Sequence, residues 1–165
     1  MTARSGRTPT NPKSCHERAL GLLAARPRSR AELERRLLQA GFDRDEVHDV
    51  LERLQRVGLI DDEAFARAVA EQAFGVRRSG ARAVRAALAA RGVSETTTAG
   101  VIRDLGGDEE ERAAELARSR VTRLRGVPPD RAFPRLVGFL GRRGYPPATA
   151  RRAARLALAV DLAED

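Results

Sequence analysis

The chain has 165 residues, 42% apolar but only 4% aromatic, with one cysteine, no tryptophan and a formal charge of +8. One cysteine excludes an intrachain disulfide and leaves no thiol pair for a common structural zinc site. No apolar run approaches a membrane span and the opening residues lack a signal-peptide core, so we read a soluble, reduced, cytoplasmic protein with no membrane partner.

Much of the apolar content is alanine. That suits close-packed helices better than a β-sandwich, which needs β-branched and aromatic residues. The charge is unevenly placed. Residues 1–66 hold 12 basic and 11 acidic residues, net +1, whereas residues 116–155 hold 11 basic and one acidic, net +10. An anionic partner is implied, either nucleic acid or an acidic protein groove. Lys13 is the only lysine, so 30 of the 31 basic residues are arginine.

Residues 1–14 carry Thr, Ser, Pro and Arg with almost nothing apolar, the composition of a disordered tail. A first helix is expected over about 15–26, with Leu20 and Leu23 on its apolar side and Pro27 at its end. Ser29 then caps a second helix, with Glu32 three residues on as a capping box, and Gly41 stops it. Asp43 caps a third, which carries Val47, Val50, Leu51 and Leu54 at helical spacing. Gly58-Leu59-Ile60-Asp61-Asp62-Glu63-Ala64-Phe65-Ala66 is the joint where one helical unit closes and the next opens. Gly58 is the stop, Leu59 and Ile60 are placed like the outer half of a hydrophobic staple, and Asp61 or Asp62 is the cap.

A fourth helix is expected over about 62–74. A fifth starts near Ser79-Gly80 and stops at Gly92; Ser94 caps a sixth, which Gly106-Gly107 breaks. Asp108 caps a seventh, acidic at its start and basic at its end, as the helix dipole favours. An eighth carries Phe133, Leu136 and Leu140 and stops at Gly144. Pro147 opens a ninth.

These helices repeat. Leu33, Leu37, Gly41 and Phe42 return 51 residues later as Val84, Leu88, Gly92 and Val93, and 52 further on as Leu136, Leu140, Gly144 and Tyr145. The fold class expected is all-α: three tandem three-helix repeats, 15–60, 61–107 and 108–165, in an elongated, curved array. Gly41, Gly92 and Gly144 should be equivalent left-handed stops.

No catalytic set, cofactor motif or metal site assembles from the sequence. His16 lies near the start, and His48 lies among Asp45, Glu46, Asp49 and Glu52 on a solvated face. Asp61 and Asp62 are adjacent on a turn and read as caps. Gly106-Gly107 lacks the following Gly-Lys-Ser/Thr of a P-loop. The basic groups carry more. Arg77 and Arg78 lead into the fifth helix, with Arg82 and Arg85 following; a helix start flanked by arginines can hold a phosphate or carboxylate. Arg118, Arg120, Arg123 and Arg125 lie on the seventh helix, expected to run to about Leu124, Arg142 and Arg143 close the eighth, and Arg151, Arg152 and Arg155 lie on the ninth. These thirteen are the candidate partner or DNA-binding residues. Arg35, Arg36, Arg53 and Arg56 of the first repeat read as balanced by acidic neighbours.

Several of these segments together resemble the RecX family of regulators of the RecA recombinase. The likeness is carried by Ala19-Leu20 with Leu23, by Arg28-Ser29-Arg30-Ala31-Glu32-Leu33, by Gly58 to Ala66, by Ser79-Gly80 ahead of Leu88-x-x-x-Gly92-Val93, and by Arg142-Arg143-Gly144-Tyr145. It spans residues 15–158; the joint at Gly58 is its most specific element, and the scarcity of lysine is a departure. The resemblance implies three three-helix repeats and a non-catalytic protein; we expect a monomer without cofactors. It implies a partner, the RecA–single-stranded-DNA filament, in whose groove such proteins lie and suppress ATP turnover and strand exchange. Two other readings remain: a basic helical DNA-binding protein acting without RecA, and a helical scaffold with a solvated basic face. A winged helix fits residues 32–60, but Phe65, Val69 and the alanines beyond Ile60 read as helix rather than hairpin.

Overall fold

The structure, a computed structural model, describes residues 13–164. The expectation of a disordered tail therefore lies almost wholly outside the described residues. Its last residue, Ser14, is structured. Ser14 Oγ accepts from the Glu17 N–H at 3.2 Å while Glu17 accepts from the Ser14 N–H at 2.8 Å, a capping box that starts the first helix.

The described residues are helical with no strand, and the chain divides at Ile60 into two compact units. The first holds α1 (Cys15–Ala25), α2 (Arg30–Gln39) and α3 (Arg44–Arg56). Asp43 caps α3 by accepting from the Asp45 N–H. Leu33, Leu37, Val47, Val50, Leu51 and Leu54 form the core with Cys15, Ala19 and Ile60. The inward face of α1 differs from the expected one in part: Leu23 packs against the core as expected, but small Cys15 and Ala19, one helical turn apart, are the residues buried there, and Leu20 is left 38% exposed. Small side chains let α1 approach its neighbours closely, and the next residue round the helix then points away.

The α1–α2 turn is tied by charge. Arg28 is buried and donates from Nε to the Leu22 carbonyl. Glu32 completes the Ser29 capping box and pairs with Arg26 at 2.9 Å. Burial works against the Glu32 charge, but the Arg26 guanidinium and the Ser29 N–H outweigh it and hold the carboxyl below its ordinary range. A depressed folded pKa stabilises above the unfolded value and is lost as pH falls through the folded one. Glu32→Gln keeps the capping box. It should therefore cost the first unit about 0.5–1 kcal/mol at pH 7, a modest figure because Arg26 is half exposed,. The gap should close below about pH 4. Denaturant midpoints of both proteins against pH check this; a gap independent of pH would show that packing, not charge, is responsible.

The second unit holds α4 (Asp62–Glu71), α5 (Ala81–Ala89), α6 (Glu95–Leu105), α7 (Glu109–Val121), α8 (Pro129–Arg142) and α9 (Pro147–Glu164). Asp61, Ser94 and Asp108 cap α4, α6 and α7. One cluster joins Phe65, Ala70, Phe74, Val84, Leu88 and Val101; a second joins Leu116, Val121, Leu136, Leu140 and Tyr145 to the alanines of α7 and α9. The expected helix over 62–74 ends early: from Gln72 to Val76 the chain widens into a π-turn. Apolar spacing runs unbroken to Phe74, so the sequence carries no sign of the change in hydrogen bonding.

The stops at Gly41, Gly92 and Gly144 share one geometry, with φ of +92°, +73° and +91°. At each, the next residue's N–H returns to the carbonyl five back: Phe42 to Leu37, Val93 to Leu88, Tyr145 to Leu140. This is the Schellman stop, and the apolar residue after each glycine folds back toward its helix.

Candidate functional site

The site forms where the loop after α4 meets the end of α8. Beyond the π-turn, Arg78 adopts φ +48°, unusual for a side-chain-bearing residue,. The turn presents two carbonyls to α8. Arg143 donates from its guanidinium to the Arg77 carbonyl, and the Tyr145 hydroxyl donates to the Arg78 carbonyl at 2.7 Å. In return the Gly80 N–H donates to the Arg143 carbonyl at 2.8 Å. Gly80 and Gly144 are in backbone contact there, leaving no room for a Cβ on either. Arg77-Arg78 and Arg142-Arg143, far apart in sequence, are thereby held together.

The start of α5 does not stand open to an external anion. The Ala81 N–H takes the Glu109 carboxylate at 2.7 Å, and Arg112 donates to the Ser79 carbonyl while its guanidinium lies 4.7 Å over the Phe74 ring. The chain supplies its own carboxylate to this helix end, as the dipole favours. Arg85 pairs with Glu95 at 2.9 Å; Arg77, Arg78 and Arg82 are exposed.

Beside this junction lies a cleft of about 360 Å³ between the end of α7 and α8, lined by Arg120, Leu124, Arg135, Phe139 and Arg142. Arg120 lies 4.8 Å over the Phe139 ring and Arg143 lies 5.3 Å from the same ring. The ring holds both guanidinium planes and keeps positive charge at the cleft. No carboxylate lines it among the described residues. Like charges gathered without counter-charge raise the local potential and favour an anion. Arg135 was not among the sequence candidates. Its spacing to Phe139 and Arg142, four and then three residues along α8, is the signal that would have found it.

The other candidates are dispersed. Arg118, Arg123 and Arg125 are exposed on and after α7. On α9, Arg151 is exposed, Arg152 lies 3.5 Å from Glu110, and Arg155 lies 5.9 Å over Phe133. None of these lines the cleft. His48 pairs with Glu52 on an exposed face, and Cys15 is buried, its thiol pushed up chiefly by burial. Among the described residues no helix is long and apolar enough to cross a membrane.

Fold and site together define an all-α protein of successive three-helix packings that presents a carboxylate-free cationic cleft. Residues 15–54 match the family description "RecX, first three-helix domain" and residues 61–100 match "RecX, second three-helix domain". A relative from Mycobacterium sp. (strain JLS), named regulatory protein RecX, is 38% identical over 142 residues, covering 83% of this chain and 78% of the relative. One of the same name from Mycobacterium avium (strain 104) is 39% identical over 151 residues, covering 88% and 87%. The crystal structure of RecX from Lactobacillus salivarius shares the fold, with a TM-score of 0.74 at 16% identity over 87% of this chain and 94% of that one. The chain belongs to the RecX family of regulatory proteins.

Proposed function

We propose that this protein binds the RecA–single-stranded-DNA filament in its groove and inhibits ATP turnover and strand exchange, without catalysing a reaction itself. Recombination and DNA repair are modulated as a result. The observation that carries the reading is the cleft of Arg120, Arg135 and Arg142, free of carboxylates and continuous through Arg143 with the Arg77-Arg78 loop. Several phosphate contacts acting together release counterions and bind far more strongly than isolated surface ion pairs. We divide the chain into a tail, 1–14, and three repeats, 15–60, 61–107 and 108–165; within the third, residues 116–155 carry a net +10 and supply most of the electrostatic grip.

The second reading is a DNA binder that needs no RecA, favoured by the same cleft. Co-sedimentation separates them. The protein should pellet with RecA–single-stranded-DNA filaments at concentrations where it leaves single-stranded DNA alone in solution, and it should slow the filament's ATP turnover. Equal binding to bare DNA, with turnover unchanged, would favour the second reading.

A further inference from the structure

The first unit carries a groove of about 400 Å³ that the basic cleft does not account for. Its floor is Leu20, Leu54, Val57 and Leu59; its rim is His16, Arg53 and Arg56. The apolar floor is a clustered feature. Leu20, Val57 and Leu59 make up three of the five exposed large hydrophobic residues described, at 38%, 68% and 54% exposure. Single exposed leucines are ordinary, but a contiguous apolar patch with a charged rim marks an interaction surface.

The backbone shows why the patch exists. Gly58, at φ +78°, ends α3 in the same stop as Gly41, Gly92 and Gly144: the Leu59 N–H returns to the Leu54 carbonyl at 2.9 Å. At the other three stops the following residue is Phe42, Val93 or Tyr145, each packed into or against a core. Leu59 occupies that position and stays outside, while Ile60 beside it goes in. The Leu59-Ile60 pair read as the outer half of a staple is thus split, with Ile60 joining the core of the first unit.

The rim decides what fits. Neither Arg53 nor Arg56 is in an ion pair among the described residues, although acidic residues flank them along α3; Arg53 Nε reaches only the Asp49 carbonyl. Aliphatic side chains offer a nucleic-acid base no ring to stack on. A second copy meeting the groove across a two-fold axis would set arginines against arginines. An amphipathic helix with carboxylates beside its apolar stripe meets both floor and rim.

We propose that this groove docks an acidic amphipathic helix of the protein partner, its apolar side chains over Leu20, Val57 and Leu59 and its flanking carboxylates on Arg53 and Arg56. The identity of the partner rests on the filament reading above. The groove then grips protein while the cleft of the second unit grips phosphate.

The test is co-sedimentation with RecA–single-stranded-DNA filaments at several salt concentrations, using Val57→Asp/Leu59→Asp, the milder Leu59→Ser, and Arg53→Glu/Arg56→Glu. The aspartate pair should weaken filament binding at least tenfold, most at low salt, where the added carboxylates repel those of the partner helix. Leu59→Ser should weaken it less, and the glutamate pair should also weaken it. Melting temperature should stay at the wild-type value, because both apolar side chains face solvent. Wild-type affinity in the aspartate pair and in Leu59→Ser would overturn the proposal. So would a melting temperature lowered by Leu59→Ser, which would place the side chain inside the chain's own packing. A wild-type dimer made monomeric by the aspartate pair would assign the groove to a second copy instead. Failure of the wild-type protein to bind filaments at all would sink the filament reading itself, and this assignment with it.

Discussion

Gly144→Ala lowers the stability of the second unit by about 4 kcal/mol, whereas Gly41→Ala costs the first unit about 1–2 kcal/mol. The two glycines have φ of +91° and +92°, so the strain of placing an L-residue there is the same, about 1–2 kcal/mol,. Their surroundings differ. A Cβ at Gly41 meets nothing within 4 Å, but one at Gly144 falls 2.5 Å from the Ala83 backbone nitrogen. Backbone cannot rotate aside as a side chain can, so the overlap adds about 1–3 kcal/mol by forcing the Gly80–Gly144 contact apart. Tyr145 is the only tyrosine in a chain without tryptophan, and it lies in the second unit beside this contact. Its fluorescence in denaturant therefore follows that unit alone, while circular dichroism follows both. Equal losses for the two variants would show that backbone strain decides and that the contact carries no energy.

On the proposed function, reversing Arg135 and Arg142 to glutamate should weaken filament binding by about a hundredfold at moderate salt and flatten the salt dependence. Each phosphate contact on a single strand contributes about 0.7 to the slope of log affinity against log salt, so losing two removes about 1.4. Both side chains are exposed and neither is in an ion pair among the described residues. The helical spectrum should accordingly be unchanged. Arg35→Glu/Arg36→Glu reverses as much charge on the first unit, outside the cleft, and should do far less. Affinities at two or more salt concentrations for both pairs are the measurement. Equal losses would mean that total charge, rather than the cleft, governs binding.

What could be read from the chain alone is what depends on near neighbours. Ser29 with Glu32 declares a capping box because the two bonds close within one turn,. Asp43, Asp61, Ser94 and Asp108 act within two or three residues, and each caps the helix expected of it. The glycine stops and the all-α class follow from the same local rules, and the apolar spacing places Leu33, Leu37, Leu136 and Leu140 in cores. The gathering of arginine toward the C-terminal third needs only counting.

Tertiary structure decided which of those residues meet. Nothing local to Ser79-Gly80 tells that its helix start is filled by Glu109, 28 residues on, or that Gly80 needs its missing side chain because Gly144 lies against it. Arg77, Arg78, Arg82 and Arg85 look alike in sequence, yet Arg85 is spent on Glu95 and the Arg77 backbone anchors Arg143. Arg135 looked like any solvated arginine until α7 closed over α8 and set it beside Arg120 and Phe139. Leu59 and Ile60 are equally apolar neighbours; the turn at Gly58 sends one into the core and the other to the surface. Caps, stops and periodicity are energies within a few residues and are written in order along the chain. Charge clefts, close backbone contacts and exposed patches are energies between segments far apart in sequence, and they exist only once the helices have packed.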